Sequence, residues 1–259
     1  MLIDAHCHLD LDDFDNDRES TMLRAQVAGV RHFIVPGTTR ARWNHVLALG
    51  QREDVSVALG LHPYFTGEHS DEDMQALEDA LHNHPQLVAV GECGIDARLS
   101  ATLEQQWILF DAQLRLAKRN DLPVIIHCVQ ANDKVAKRLR QLQLPRGGMV
   151  HGFAGSPEQA LAFNALGFAV GLGGILTYPR ARRVQRAVRA LADDGFVLET
   201  DSPDMPLHGQ QGQRNEPANV AEVCCQLARL RDQSEEYVAR LSSQTAAQLF
   251  RLPGTVIDH

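Results

Sequence analysis

The chain has 259 residues, 44% of them apolar, and a formal net charge of −8. That is enough apolar material for one large α/β barrel, with no compositional sign of disorder and no run near the ~20 apolar residues of a membrane helix. The acidic balance excludes a protein that holds nucleic acid by bulk positive charge, although bound cations and a few arginines can reverse the sign locally.

The first element is "LIDAHCHLD", residues 2–10, in which His6 and His8 stand at i and i+2. On a strand those two side chains face the same way and can share one ion. Seven further apolar runs follow: "VRHFIVPG", "VSVALGLHP", "LVAVGECGID", "LPVIIHC", "GGMVHGF", "FAVGLGGIL" and "FVLETDSP". Between them lie segments with helical spacing, such as "LEQQWILFDAQLRLAKRN" and "SPEQALAFNALG". The second opens on Ser156 as a candidate N-cap and closes on Gly167. Val-, Ile- and Leu-rich strands alternating with helices imply a parallel sheet covered on both faces. Eight such units, with no Gly-rich phosphate loop after an early strand, predict a (β/α)8 TIM barrel forming a single domain over residues 1–259.

The polar residues gather where the runs end. His6 and His8 close the first, His62 the third, Glu92 the fourth, His127 the fifth, His151 the sixth and Asp201 the eighth. In a barrel these ends share one rim, where this fold keeps its active sites. Singly, a histidine at a strand end is more often a hydrogen-bonded structural residue, and Asp201 would serve equally as a cap. Jointly, that reading needs independent accidents at several strand ends. The remaining histidines, His32, His45, His69, His82, His84, His208 and His259, are assigned to surface or structural roles.

Four imidazoles and two carboxylates exceed what one tetrahedral ion uses, so two divalent ions are expected. Glu92, from a central strand, is the natural bridge. One ion takes His6, His8, Glu92 and Asp201; the other takes Glu92, His127 and His151. The mixed nitrogen and oxygen donors suit Zn, Mn, Co or Ni, and Mg where phosphate and water complete the shell. Such a pair clamps the attacking and leaving oxygens of a phosphoryl displacement.

"DAHCHLD", "GLHP", "GECGID", "LPVIIHC", "VHGFAGS" and "LETDSPDMPLHGQQGQRNEP", in this order, resemble the TatD-type metal-dependent deoxyribonucleases, a branch of the amidohydrolase-like barrels. The long last element is most similar to an uncharacterised bacterial branch. The resemblance implies the same six metal ligands and hydrolysis of DNA phosphodiesters, often from the 3′ end of single strands. Two stretches depart from the family pattern. Val129 and Gln130 stand where many members carry an arginine, and Ala97 stands where an aromatic residue is frequent. Both changes touch the expected substrate cleft and spare the metal set.

Asp201 and Glu92 are therefore the expected catalytic residues, with Asp201 as the base. His62, Arg180 and Arg214 are the expected substrate contacts, the arginines because a planar guanidinium matches phosphate oxygens. Arg183, Arg186 and Arg189 read as a solvated helix face. Cys7, Cys93 and Cys128 each neighbour a ligand and should point outward as small apolar residues. Five cysteines without CxxC spacing, and no leader-like start, predict reduced thiols in the cytoplasm. The expected partner is nucleic acid or a small phosphoester, with no membrane and no obligate protein partner, compatible with a monomer. An amidohydrolase acting on a small amide, lactone or phosphoester, and a non-catalytic metal-binding protein, are the alternatives.

Overall fold

All eight apolar runs form strands. They are β1 (Leu2–Asp4), β2 (Val30–Pro36), β3 (Val55–Leu59), β4 (Ala89–Asp96), β5 (Val124–Val129), β6 (Gly148–Val150), β7 (Phe168–Leu172) and β8 (Phe196–Leu198). The computed structural model describes residues 1–253, so His259 lies outside the described residues. Each strand pairs in parallel with its sequence neighbour, in the order β1 to β8. The ring is nearly closed where Ala5 N–H donates to the Leu198 carbonyl at 2.9 Å. Buried Asp4 reinforces that seam by accepting from Thr200 N–H at 3.0 Å and from the Thr200 hydroxyl at 2.6 Å.

Helices cover the outside: α1 (Arg18–Val27), α2 (Trp43–Leu49), α3 (Asp71–Asn83), α4 (Leu103–Arg119), α5 (Asn132–Leu142), α6 (Pro157–Asn164), α7 (Arg182–Ala190), α8 (Val220–Arg231) and α9 (Glu235–Phe250). The cap at Ser156 is formed, its hydroxyl accepting from Gln159 N–H, but α6 ends at Asn164 and not at Gly167. Gly167 instead sits at φ +80° in the turn that follows.

Two apolar layers explain why the strands read as continuous runs and not as alternations. Ile3, Ile34, Ala58, Ala89, Ile125, Met149, Ala169 and Val197 fill the barrel, and Ala246, Ala247 and Phe250 of α9 close its lower end. The opposite strand faces, including Phe33, Val90, Ile126 and Leu198, pack against Phe110, Phe163, Val188 and Leu227 of the helices. His32 is a structural residue at the edge of this packing, its Nε2 2.8 Å from the Ser56 hydroxyl.

Helix α4 does more than cover the sheet. On its buried face stand two glutamines where an amphipathic pattern would place apolar residues. Gln113 accepts from Leu61 N–H at 2.8 Å and donates to the Leu61 carbonyl at 3.1 Å. Gln106 makes the same pair of bonds with Asp96, at 2.8 and 3.2 Å. Each amide thus acts as a missing peptide partner for a chain leaving the sheet, satisfying backbone groups that would otherwise be buried without partners. The two clasps fix the exits of β3 and β4, where His62 and Asp96 project into the site.

Gln113→Leu keeps the volume and removes both bonds. Two backbone groups would be left unpaired, each costing about 1–3 kcal/mol, so stability should fall by roughly 2–6 kcal/mol. Urea denaturation measures it; a loss below about 1 kcal/mol would show that water replaces the clasp.

Candidate metal centre

At the C-terminal ends of the strands, four donor atoms face one another: His6 Nε2, His8 Nε2, Glu92 Oε2 and Asp201 Oδ1. His6 Nε2 lies 3.2 Å from His8 Nε2, 3.2 Å from Glu92 Oε2 and 3.3 Å from Asp201 Oδ1. His8 Nε2 lies 3.3 Å from Glu92 Oε2 and 3.5 Å from Asp201 Oδ1. One ring nitrogen has a single lone pair or a single hydrogen, so it cannot bond all three neighbours. An ion with four donors at about 2.0–2.1 Å in tetrahedral array holds those donors about 3.3–3.4 Å apart, the spacing found here. Among the described residues, buried Glu92 Oε2 also has no hydrogen-bond partner, which fits an oxygen that serves as a metal donor.

The strand pairing assumed for His6 and His8 is not how they are placed. β1 stops at Asp4, and both histidines follow on an irregular segment. They are held by backbone bonds to the far side of the seam: Asp201 N–H to the His6 carbonyl at 2.9 Å, and His8 N–H to the Ser202 carbonyl at 2.7 Å. Asp201 occupies the left-handed region at φ +56°, three residues beyond β8, and those bonds hold it there.

The second oxygen of Glu92 faces a second set. Oε1 lies 2.7 Å from His151 Nε2, 3.1 Å from His127 Nδ1 and 2.9 Å from His62 Nε2, and the His127 and His151 nitrogens are 3.1 Å apart. Glu92 and His127 lie within β4 and β5, and His151 directly follows β6. A Cβ at Gly94, where φ is +149°, would run into the His127 carbonyl, so only glycine lets β4 bring Glu92 this close to β5. Among the described residues, the donor clusters built on Glu92 fit one or two divalent ions.

Two carboxylates escaped the sequence reading. Asp96 Oδ2 lies 3.4 Å from His127 Nε2, on the side of the ring away from Glu92, and so orients that imidazole. Glu199, fully buried, accepts from Gly152 N–H at 2.5 Å and clusters with His6 and His151 beneath the site. Its carboxylate occupies the space that a side chain at Gly171 would need. Both acids stand in motifs already singled out, Glu199 two residues before Asp201 and Asp96 four residues after Glu92, and both carry the strand-end signal: Asp96 is the last residue of β4 and Glu199 directly follows β8.

His62 does reach the site. Its Nδ1 accepts from Tyr64 N–H at 3.0 Å, which leaves the proton of the neutral ring on Nε2, facing Glu92 Oε1 at 2.9 Å. The two arginines do not reach it. Arg214 folds away, bonded through both terminal nitrogens to Asp17 at 2.7 and 2.8 Å and to Glu216 at 2.9 Å, with its plane over Phe14. Arg180 is exposed and lies over Tyr178, outside the cavity. Position next to a strand end did not fix direction, and the nearby acids captured the first guanidinium. Cys7 and Cys93 lie in the outer core; Cys128 is half-buried, packs against that core and also borders the cavity.

The cavity has a volume of about 780 Å³. Its floor is the donor set, and its walls include Leu11, Tyr64, Phe65, Val129, Ile175 and Met205. Burial opposes charge throughout the floor. For Glu92 that cost is overcome by His151, His62 and His6, and for Asp201 by its bonds to His6 and His8, so both carboxyls are held well below the usual range. His6 is pushed down by burial but carried up to about 10 by Glu92 and Asp201; His8 is raised in the same way. His127, likewise opposed by burial, reaches about 9 on Asp96 and Glu92. In His151 burial prevails and the value falls to about 4. The floor is thus a pair of ionised carboxylates that recruits positive charge.

A protein-family model described as "TatD related DNase" matches residues 3–251. An uncharacterised metal-dependent hydrolase of Escherichia coli, YjjV, is 44% identical over 255 residues, covering 97% of this chain and 98% of that protein. The crystal structure of YjjV superposes with a TM-score of 0.94 over 97% of this chain and 98% of its own, at 43% identity. The protein described as 3′-5′ ssDNA/RNA exonuclease TatD from Pantoea vagans is 32% identical over 262 residues, covering 97% of this chain and all of that one.

Metal uptake should release protons. At pH 7, His6 and His127, carried up to about 10 and about 9, hold protons in the metal-free protein, and His8 is raised in the same direction by Asp201 and Glu92. A ligating imidazole must be neutral on the bonded nitrogen, so binding at pH 7 expels about two to three protons and affinity rises with pH. Calorimetric titration of chelator-treated protein with Mn²⁺, in buffers of different ionisation enthalpy, counts them. Heats independent of buffer would contradict this charge distribution.

Proposed function

The chain belongs to the TatD-related DNase family and is a metal-dependent hydrolase, and on that premise we propose that it hydrolyses phosphodiesters at nucleic-acid ends on two divalent ions. The observation that carries this reading is the single carboxylate of Glu92, with one oxygen facing His6 and His8 and the other facing His127 and His151. Asp201 completes the first set. The name of the Pantoea relative supports an exonuclease acting on single strands. One barrel domain over residues 1–259 is proposed to carry the activity. The identity of the ions is taken from the donor chemistry, Zn, Mn, Co or Ni with Mg on a phosphate-bearing substrate.

When bound, the ions lower the pKa of a water molecule and offset charge on the phosphate. Asp201 turns Oδ1 to His6 and His8 and borders the cavity, so its other oxygen is free to orient the attacking water and accept its proton. His62 donates Nε2–H to Glu92 Oε1 at 2.9 Å and, lining the cavity beside that carboxylate, is the proposed substrate contact. Burial lowers its pKa, which keeps it neutral. Thr38 and the apolar walls line the approach to the floor. No described helix is long and apolar enough to cross a membrane. The free cysteines support a reducing, cytoplasmic setting.

Asp201→Asn keeps the size and one coordinating oxygen. With excess Mg²⁺, Mn²⁺, Co²⁺ or Zn²⁺, turnover of a single-stranded oligonucleotide should fall by about 10²–10⁴-fold, the range for a lost base. Near-wild-type turnover at saturating metal would leave Asp201 as a ligand only. A wild-type enzyme that cleaves lactones or amides but no phosphodiester with any of these ions would overturn the reading.

A further inference from the structure

One cation lines the cavity that the sequence reading did not single out. Among the described residues, Arg98 is the only lysine or arginine in its wall. It stands two residues beyond the end of β4 and is largely exposed. Its guanidinium is not free to wander. Nε donates to Asp96 Oδ1 at 3.0 Å and Nη2 to Asp96 Oδ2 at 2.5 Å, while Arg98 N–H donates to the same Oδ1 at 3.0 Å. That uses the Nε–Nη2 edge of the plane. Nη1 makes no hydrogen bond among the described residues, so the outer edge formed by Nη1 and Nη2 remains available to an anion.

We propose that Arg98 holds the phosphate next to the scissile one and so makes this enzyme select substrates that carry a second, flanking phosphate. The proposal rests on the phosphodiesterase reading above. Three observations carry it. The first is elimination: Arg214 is committed to Asp17 and Glu216, Arg180 lies outside the cavity, and position 129 is a valine. The second is placement. Asp96 touches both Arg98 and His127, so the arginine is separated from the catalytic floor by one carboxylate and one imidazole. It therefore stands beside the donor set and not in it, where a neighbouring phosphate would lie while the one being cut sits on the floor. The third is the neighbour: exposed Tyr64 borders the same cavity and offers an aromatic face on which a base can stack. A guanidinium braced on one edge loses little freedom on binding, which is how preorganised arginines discriminate.

The test compares the thymidine dinucleotides TpT, pTpT and TpTp. In the wild type with Mn²⁺, KM for one of the two doubly phosphorylated substrates should lie at least about tenfold below that for TpT, as expected for a charge-assisted bidentate contact. In Arg98→Ala that ratio should fall to about one, and in Arg98→Lys to an intermediate value, with metal content at the wild-type level in both. A wild-type ratio near one overturns the proposal. So does a ratio that survives in Arg98→Ala, because a brace that only steadied Asp96 and His127 would affect all three substrates equally. If the wild type cleaves none of the three, the phosphodiesterase reading fails by itself. Calorimetric binding of pTpT, TpTp and TpT to metal-free protein then decides Arg98: equal affinities in the wild type, or a preference that persists in Arg98→Ala, refutes its role.

Discussion

Glu92 places a carboxylate with less than 2% exposure among five histidines, and much of the surrounding architecture serves to make that tolerable. A buried carboxylate without compensation is expensive, and its usual escape is to take up a proton. Here the imidazoles around both oxygens keep it ionised. The converse also holds. His6 and His8 are buried beside each other at 3.2 Å, an arrangement that two protonated rings would resist and that only the two carboxylates sustain. Protons fill the role in the metal-free chain that divalent ions fill better, since a doubly charged ion at the centre satisfies four donors at once.

Such a cluster keeps its geometry only if the backbone under it cannot relax. The barrel supplies that rigidity by tying strand exits to one another and not to solvent. Asp4 and Thr200 lock the seam below His6 and Asp201, and the Gln113 and Gln106 amides pin the exits of β3 and β4 from the helical side. Glycine at 94 lets two strands approach at the one level where Glu92 must reach His127. Asp96 then links the floor to the rim, steadying a ring that faces the ions and an arginine that faces the substrate. Chemistry and selectivity are coupled through that one side chain.

The strands were legible because barrel strands buried on both faces read as apolar runs, and the six donors because each stands within or just after such a run, towards its C-terminal end. Geometry beyond the strand ends was not. His6 and His8 share a site although β1 has ended before them, since the seam bonds replace strand periodicity. Arg214 reads as a phosphate contact near Asp201, yet its partner Asp17 is almost two hundred residues away in sequence. Gln106 and Gln113 look like ordinary polar positions on a helix, because nothing local reveals that the facing chain lacks backbone partners. Arg98 was hidden for a related reason: its direction depends on Asp96, which ends the run "LVAVGECGID" behind Glu92 and was not singled out.

The central claim is that one carboxylate is shared by two ions. Crystals of the protein soaked in Mn²⁺ or Zn²⁺, with data collected on either side of the metal absorption edge, test it directly. The account predicts two anomalous peaks about 3.5–4 Å apart, one beside His6, His8 and Asp201, the other beside His127 and His151, with an oxygen of Glu92 bonded to each. A single peak at saturating metal, or two peaks of which one does not touch Glu92, would contradict it.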